Sequence, residues 1–157
     1  MKTLLVCKSV SHGNTRRIAD TIGQVLDARV VDPSEIAPTD LTDYNLVGFG
    51  SGIYYMNFHP DLRRFIAALP PRPHGKAFHF RTSGTPEPPM LRYATTLSRR
   101  LEQKGFQVLD TFDCRGHDTW LPLRLIGGIS KGHPDATDIS AASAFATALR
   151  TRVTTTP

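Results

Sequence analysis

Serine, threonine and glycine are concentrated in a short stretch near the start of the chain, where a phosphate group could bind. This first loop follows an apolar run and leads into a segment with helical periodicity. The start of a helix offers unpaired backbone N–H groups and the positive end of the helix dipole, and both favour a phosphate. Hydroxyl groups add donors, and a glycine lets the backbone approach an anion closely. The residues of the first loop are Ser9, Val10, Ser11, His12, Gly13, Asn14 and Thr15.

The residues at a few positions exclude several other kinds of phosphate-binding or phosphate-transferring site. No lysine follows Gly13, so the loop is not of the Walker type, and the three spaced glycines of the dinucleotide fingerprint are missing. A tyrosine phosphatase loop needs an arginine six residues after its cysteine, but the residue six positions after Cys7 is Gly13. A phosphoacceptor receiver domain needs acidic residues where this chain has Cys7-Lys8 and Gly50-Ser51.

Two further stretches have residues suited to a flat heteroaromatic ring. The second loop, residues 50–56, combines two glycines with two tyrosines, and a tyrosine can stack on such a ring. Its residues include Ser51, Gly52, Ile53 and Tyr54. The third loop offers small side chains and backbone amides for the edge of the ring, from Thr82, Ser83, Gly84 and Thr85. Each loop alone is compatible with an ordinary turn, whereas the three together favour a ligand with a phosphate and a ring.

Short apolar runs alternate with helical periodicity, and this alternation predicts how the loops are positioned. The runs predict strands at residues 3–7, 28–31, 44–50, 77–81 and 106–112. Among the predicted helices, one begins at Pro60, one begins at Pro88-Pro89 with Leu91 facing inward, and the last is capped by Asp135 with Asp138. The pattern predicts one α/β domain over residues 1–157, with a five-stranded parallel sheet in the order 2-1-3-4-5 and helices on both faces. In that order the ligand crevice lies at the carboxyl ends of strands one and three.

Composition narrows the class of protein. Nineteen Lys+Arg against fourteen Asp+Glu give a net charge of +5, which attracts acidic partners, but no nucleic-acid signature accompanies the charge. Two cysteines, Cys7 and Cys114, form neither a disulfide framework nor a zinc site, and we expect no metal. No apolar run reaches the roughly 20 residues of a transmembrane helix, and the N-terminal run is too short for a signal peptide. A cytoplasmic protein that does not bind nucleic acid is expected.

These loops and their order resemble the flavodoxin-like family, and in particular a group of small prokaryotic flavodoxin family proteins. The resemblance covers nearly the whole chain. It is carried by the first loop, by residues 48–54, by residues 82–85 and by two later segments, residues 114–119 and 127–135. It implies a three-layer sandwich of the flavodoxin type.

The resemblance also implies one non-covalently bound FMN. Residues 9–15 would hold the FMN phosphate, residues 51–54 would flank the isoalloxazine, and residues 82–85 would line its other edge. The first loop is one residue longer than the usual pattern of the family, with His12 as the extra member. The acidic surface by which many flavodoxins dock redox partners is missing, because this chain is basic.

Three functions are compatible with this reading. The favoured one is electron transfer as a flavoprotein, with a redox partner protein or a quinone-type small molecule. The first alternative is an FMN-dependent oxidoreductase, similar to a quinone reductase or a protoporphyrinogen oxidase, and the second is a flavin-free interaction module of the same fold. Residues 114–135 include Trp120, Leu121, Leu123, Leu125 and Ile126, with Arg115, Arg124 and Lys131 as bases. This segment would suit an anionic membrane surface, but packing on the sheet is favoured.

Overall fold

The computed structural model describes residues 1–72, 74–116, 128 and 130–155. Its parallel strands are β1 (Thr3–Lys8), β2 (Ala28–Val31), β3 (Leu46–Tyr54), β5 (Gly75–Ser83) and β6 (Phe106–Arg115), and a short β4 (Asn57–Phe58) pairs antiparallel with β3. The order across the sheet is β2-β1-β3-β5-β6. Counted over the parallel strands alone, this is the predicted order 2-1-3-4-5, which is confirmed.

Helices cover both faces of the sheet, as the sequence predicts. They are α1 (Asn14–Leu26), α2 (Pro60–Ala67), α3 (Tyr93–Gln103) and α4 (Ala136–Thr155), with two short 3-10 helices at Ser11–Gly13 and Pro38–Asp43. One apolar core lies between the sheet and α1 and α4, and the other lies between the sheet and α2 and α3. None of the described helices is both long enough and apolar enough to span a bilayer.

Two glycines of the central strand β3 make room for aromatic rings in the core beside α1 and α4. A Cβ atom on Gly50 would lie 2.1 Å from the ring of Phe80, and one on Gly48 would lie 2.5 Å from the ring of Phe78. Both rings are fully buried and cannot move aside without opening the core. The strand that leads to the second loop is therefore fixed in place by packing across its glycines.

The strands extend further toward the carboxyl edge than the sequence predicts. β3 continues to Tyr54 and β5 continues to Ser83, so residues 51–54 and the first two residues of the third loop lie in the sheet. The short strand β4 explains the extension of β3, because Ile53 pairs with Phe58 and Tyr54 pairs with Asn57. The predicted loop at residues 50–56 is thus a β-hairpin with only a two-residue turn.

The predicted start of α3 at Pro88-Pro89 is wrong, because the helix begins at Tyr93. Arg92 precedes it in a left-handed conformation, with φ of 42°, which separates the prolines from the helix. Leu91, predicted to face inward, is 41% exposed. The first turn of the helix is instead held by the Glu87 carboxylate, which accepts the amide hydrogen of Ala94 at 3.2 Å.

The predicted cap of the last helix is present. The amide of Asp138 donates to Asp135 Oδ1 and the amide of Asp135 donates to Asp138 Oδ2, each at 2.9 Å. His133 Nδ1 lies 2.6 Å from the same Asp138 carboxylate, so this group of side chains closes the start of α4. Cys7 is buried in the core beside α1 and α4, and burial raises the pKa of its thiol to about 12. The predicted apolar segment from Trp120 to Ile126 lies outside the described residues.

Candidate functional site

The three loops meet at one edge of the sheet because they follow neighbouring parallel strands. Lys8 at the end of β1 is in register with Ser51 of β3, and Gly52 of β3 is in register with Thr82 of β5. The first and third loops are also joined directly. The hydroxyl oxygens of Thr15 and Thr82 lie 2.7 Å apart in a buried hydrogen bond. The structure thus brings all three predicted loops together at one place.

The first loop forms a turn with its backbone open toward solvent. Residues Ser11–Gly13 make one 3-10 turn, in which His12 and Gly13 have φ of 60° and 65°. Successive backbone N–H groups in a turn can form an anion-binding concavity. A Cβ atom on Gly13 would have nothing within 4 Å, so there is free space at the start of α1. The additional residue predicted at His12 is accommodated by this turn.

The start of α1 is suited to a negative charge. Its N-cap is Gly13, which has no side chain to cap the helix, and its first turn contains no acidic residue. Arg16 and Arg17 stand in that turn instead. The amide of Arg16 donates to the Ser9 hydroxyl at 3.2 Å, which ties the loop to the helix. An anion here would be stabilised by the helix dipole, whereas Arg16 pairs with Asp20 at 2.8 Å and Arg17 donates to the Pro134 carbonyl at 3.0 Å.

The second loop places its predicted residues at different depths. Ser51 and Gly52 are buried, and the Ser51 hydroxyl donates to the Gly52 carbonyl at 2.7 Å and accepts from the His59 amide at 3.0 Å. These two residues form the floor of the site and support the hairpin. The ring of Tyr54 packs edge-on against His59, with 5.1 Å between the ring centroids.

Sequence reasoning did not include Tyr55 among the ligand-binding residues, although it is the exposed aromatic residue of the second loop. Tyr55 is 83% exposed, whereas Tyr54 is half-buried. Tyr55 and Met56 form the hairpin turn with φ of 47° and 62°. Turns with two left-handed residues are usually signalled by Asn-Gly, and a Tyr-Met pair gives no such signal. Bulky residues in this conformation store strain, which is common at functional sites.

The third loop connects the site to its surroundings. Thr82 is buried under the first loop, while Ser83, Gly84 and Thr85 lie nearer the surface. The Ser83 hydroxyl donates to the Thr85 carbonyl at 2.7 Å. The Gly84 carbonyl accepts from the hydroxyl of Ser130 at 3.0 Å, which links the loop to the segment before α4.

A buried cation beside the third loop was also missed by sequence reasoning. Arg81, only 8% exposed, pairs with Glu87 at 2.8 Å and with Asp113 at 3.0 Å. Its guanidinium lies over the ring of Tyr93, 4.9 Å from the centroid. Burial alone would lower the pKa of Arg81, but the hydrogen bond that it donates to Asp113 and the nearby carboxylates raise it, so the side chain stays charged.

Lys8, at the end of β1, is already paired inside the protein. Its Nζ lies 3.1 Å from Asp32 and 3.3 Å from Asp61, and the hydrogen bond to Asp32 raises its pKa. Arg16 is likewise already paired, with Asp20 at 2.8 Å.

Exposed apolar side chains surround the site. Apart from Met1, the large hydrophobic residues that are exposed in the described part of the chain all belong to loops at this edge: Val10, Tyr55, Met56, Met90 and Leu91. We call this set the apolar rim. Exposed apolar groups concentrated at one edge are typical of a binding surface.

Comparison with known proteins agrees with the fold. A family model described as a flavodoxin domain matches residues 5–115. An uncharacterized protein of Methanocaldococcus jannaschii is 37% identical over 146 residues, covering 93% of this chain and 96% of that protein. The residues that the family model matches include the first, second and third loops.

Solved structures share the same fold at low sequence identity. Oxidised flavodoxin 2 of Bacillus cereus has a TM-score of 0.74 and 21% identity, with 97% of this chain and 99% of that chain covered. A flavodoxin from the domain Archaea has a TM-score of 0.72 and 15% identity, covering 98% and 99%. A WrbA-like flavodoxin of Agrobacterium tumefaciens has a TM-score of 0.66 and 14% identity, covering 98% of each chain.

Proposed function

The chain belongs to the flavodoxin family, and from this membership we propose that it binds one FMN at its three loops and transfers electrons in the cytoplasm. The single observation that carries the proposal is the start of α1, whose N-cap residue Gly13 has open space beside it and no capping side chain, between strands that also present the second and third loops. A phosphate with a ring attached is the ligand to which this combination is best suited.

The phosphate end of FMN fits the first loop. The free space at Gly13 and the left-handed turn before it allow backbone amides to surround an anion. Residues 9–15 would hold the phosphate through these amides and through hydroxyl groups. The hydrogen bond between Thr15 and Thr82 would keep the floor under the phosphate rigid.

The ring end fits between the second and third loops. Ser51 and Gly52 would form the floor, Ile53 and Tyr54 one flank, and residues 82–85 the opposite edge. We add Tyr55 to this set, because its exposed ring stands at the tip of the hairpin. The apolar rim around the ring-binding site is exposed, so a partner could contact it beside the edge of the ligand.

FMN, when bound, supplies the redox chemistry, and the protein supplies binding and orientation. The polar residues nearest the site have structural partners. The Ser51 hydroxyl holds the His59 amide, and His59 Nδ1 in turn accepts the amide hydrogen of Asp61 at 3.1 Å. Burial lowers the pKa of His59, which favours the neutral ring that this cap requires. Side chains used in this way suit an electron carrier, because a carrier needs no acid or base.

The apolar rim also favours a second candidate, an FMN-dependent oxidoreductase that acts on a quinone-type molecule. The two functions differ in the electron donor. An oxidoreductase accepts hydride from a nicotinamide at an open face of the flavin. A carrier exchanges electrons with a partner protein and does not accelerate that hydride transfer.

The experiment that separates them uses FMN-loaded protein under anaerobic conditions. We expect the chemically reduced protein to pass its electrons to a one-electron acceptor such as cytochrome c. The same chemical reductant should then reduce the protein again, over several cycles. With NADH or NADPH and a soluble quinone, turnover should not exceed that of free FMN at the same concentration. Turnover well above that of free FMN would show an oxidoreductase, and failure to exchange electrons with any acceptor would contradict the carrier.

A further inference from the structure

We propose that Arg81 is a positioning residue that fixes the third loop against the ring of the bound flavin. The inference rests on the proposed function, since it assigns a role to Arg81 at the same site. It adds a residue outside the three loops and a mechanism by which their geometry is held.

Arg81 joins four elements through one side chain. It lies on β5, directly before Thr82, and its two terminal nitrogens bond Glu87 and Asp113 at 2.8 Å and 3.0 Å. Asp113 lies on the neighbouring strand β6, and Tyr93, under the guanidinium, begins α3. The planar fork of arginine can bond two carboxylates at once, which a lysine ammonium on a flexible stem does less specifically.

Glu87 transmits this anchor to the loop. One of its oxygens bonds Arg81, and the other accepts the amide hydrogen of Ala94 in the first turn of α3. The segment that carries Ser83, Gly84 and Thr85 is therefore attached at its middle both to the strand before it and to the helix after it. Together with the bond from Ser130 to the Gly84 carbonyl, this carboxylate fixes the path of the segment from β5 to α3.

The segment has little apolar packing that would hold it without the ion pair. Met90 is 94% exposed and Leu91 is 41% exposed, so the larger apolar side chains of the segment face solvent. A loop without buried apolar contacts opens readily, unless polar contacts hold it. The Arg81–Glu87 pair is the described contact best placed to do so, because Glu87 is largely buried and Arg81 more so.

Stability alone does not account for an arginine at this position. Its Nε–H is buried and has no hydrogen-bond partner among the described residues, which is unfavourable. Replacing all members of a buried ion pair by apolar side chains is often neutral, but removing Arg81 alone leaves Glu87 and Asp113 without their cation and is destabilising. A purely structural role therefore predicts that Arg81→Met lowers the stability of the protein and leaves the flavin affinity of the folded molecules unchanged, whereas a positioning role predicts a loss of ring binding.

The test compares FMN with riboflavin, which lacks the phosphate, by fluorescence titration of three variants. In Arg81→Met we expect both affinities to fall by about tenfold, the size of one lost charge-assisted contact, with their ratio unchanged. Arg81→Lys and Glu87→Gln should lose less, because the first keeps the charge and the second keeps an acceptor for Ala94. The control is Arg99→Gln, at an exposed position on α3. This variant should bind both ligands like the parent protein.

Hydrogen exchange of the flavin-free protein gives an independent readout. The amides of residues 84–94 should exchange faster in Arg81→Met and Glu87→Gln than in Arg99→Gln, while those of β1 and α1 stay unchanged. Equal flavin affinities in Arg81→Met and the parent would overturn the inference, as would unchanged exchange in this segment. If the parent protein binds neither flavin, the proposed function itself fails, and the exchange data still decide whether Arg81 orders the loop.

Discussion

Replacing Gly13 by aspartate should weaken FMN binding at least about 100-fold and leave riboflavin binding unchanged. The space at Gly13 is open, so the new carboxylate enters the place assigned to the phosphate without displacing a neighbour. Two unit charges about 4 Å apart repel by about 4 kcal/mol at an effective dielectric constant of 20, and about 2.8 kcal/mol already corresponds to 100-fold. Isothermal or fluorescence titration with both flavins measures the effect.

The matched control is Gly13→Asn, which has the same shape without the charge. Both residues tolerate the left-handed backbone better than other side chains do, so the strain at φ of 65° is nearly equal in the two variants. Asparagine should therefore retain most of the FMN affinity. Equal FMN affinities for the two variants would place the phosphate elsewhere in the protein.

The second large effect is a loss of stability in mild acid caused by His79. This residue is 1% exposed, and its Nε2 lies 2.8 Å from the hydroxyl of Ser98. Its ring packs edge-on against Phe58 at 5.7 Å. Burial, reinforced by the charge of Arg81, lowers the pKa of His79 from 6.5 to about 4, so the folded protein holds it neutral.

The direction of the change in stability with pH follows from the number of protons bound by the folded and the unfolded chain. Between pH 6.5 and pH 4 the unfolded chain protonates His79 while the folded protein does not, so stability falls as the pH falls through this window. At pH 5 the expected loss in the free energy of unfolding is about 2 kcal/mol relative to pH 7.5. Urea denaturation at the two pH values measures it.

His79→Gln is the control for this dependence. Glutamine keeps a polar group near Ser98 but does not titrate, so most of the loss between pH 7.5 and 5 should disappear. His59, whose pKa is also lowered by burial, contributes a remainder in the same direction. An undiminished pH dependence in His79→Gln would show that other groups cause it.

The fold and the location of the site follow from features that the sequence displays directly. Apolar runs at strand length, separated by helical periodicity, predict the order of the sheet, and the order brings the loops after β1, β3 and β5 to one edge. Thr15 and Thr82 are 67 positions apart in the chain, yet their predicted loops meet through a hydrogen bond. Local residue types and sheet topology were together sufficient to predict the fold and the meeting of the three loops.

The remainder depends on contacts that local patterns do not display. Two prolines usually mark the first turn of a helix, but here Glu87 and the left-handed Arg92 move the start of α3 to Tyr93. A hairpin normally has glycine or asparagine in a tight turn, so the residue types of Tyr55 and Met56 do not predict a turn. A buried arginine interrupts the apolar run of a strand, and its carboxylate partners lie on other elements, so the role of Arg81 cannot be read from the sequence.

FMN binding at the three loops is tested by the visible absorbance of the purified protein after addition of FMN and gel filtration. Flavin bands should elute with the protein at about one FMN per chain, and Gly13→Asp should elute without them. A colourless protein at micromolar concentration, with all FMN in the small-molecule fraction, would contradict the assignment of the three loops. The flavin-free interaction module would then be the function that this fold supports.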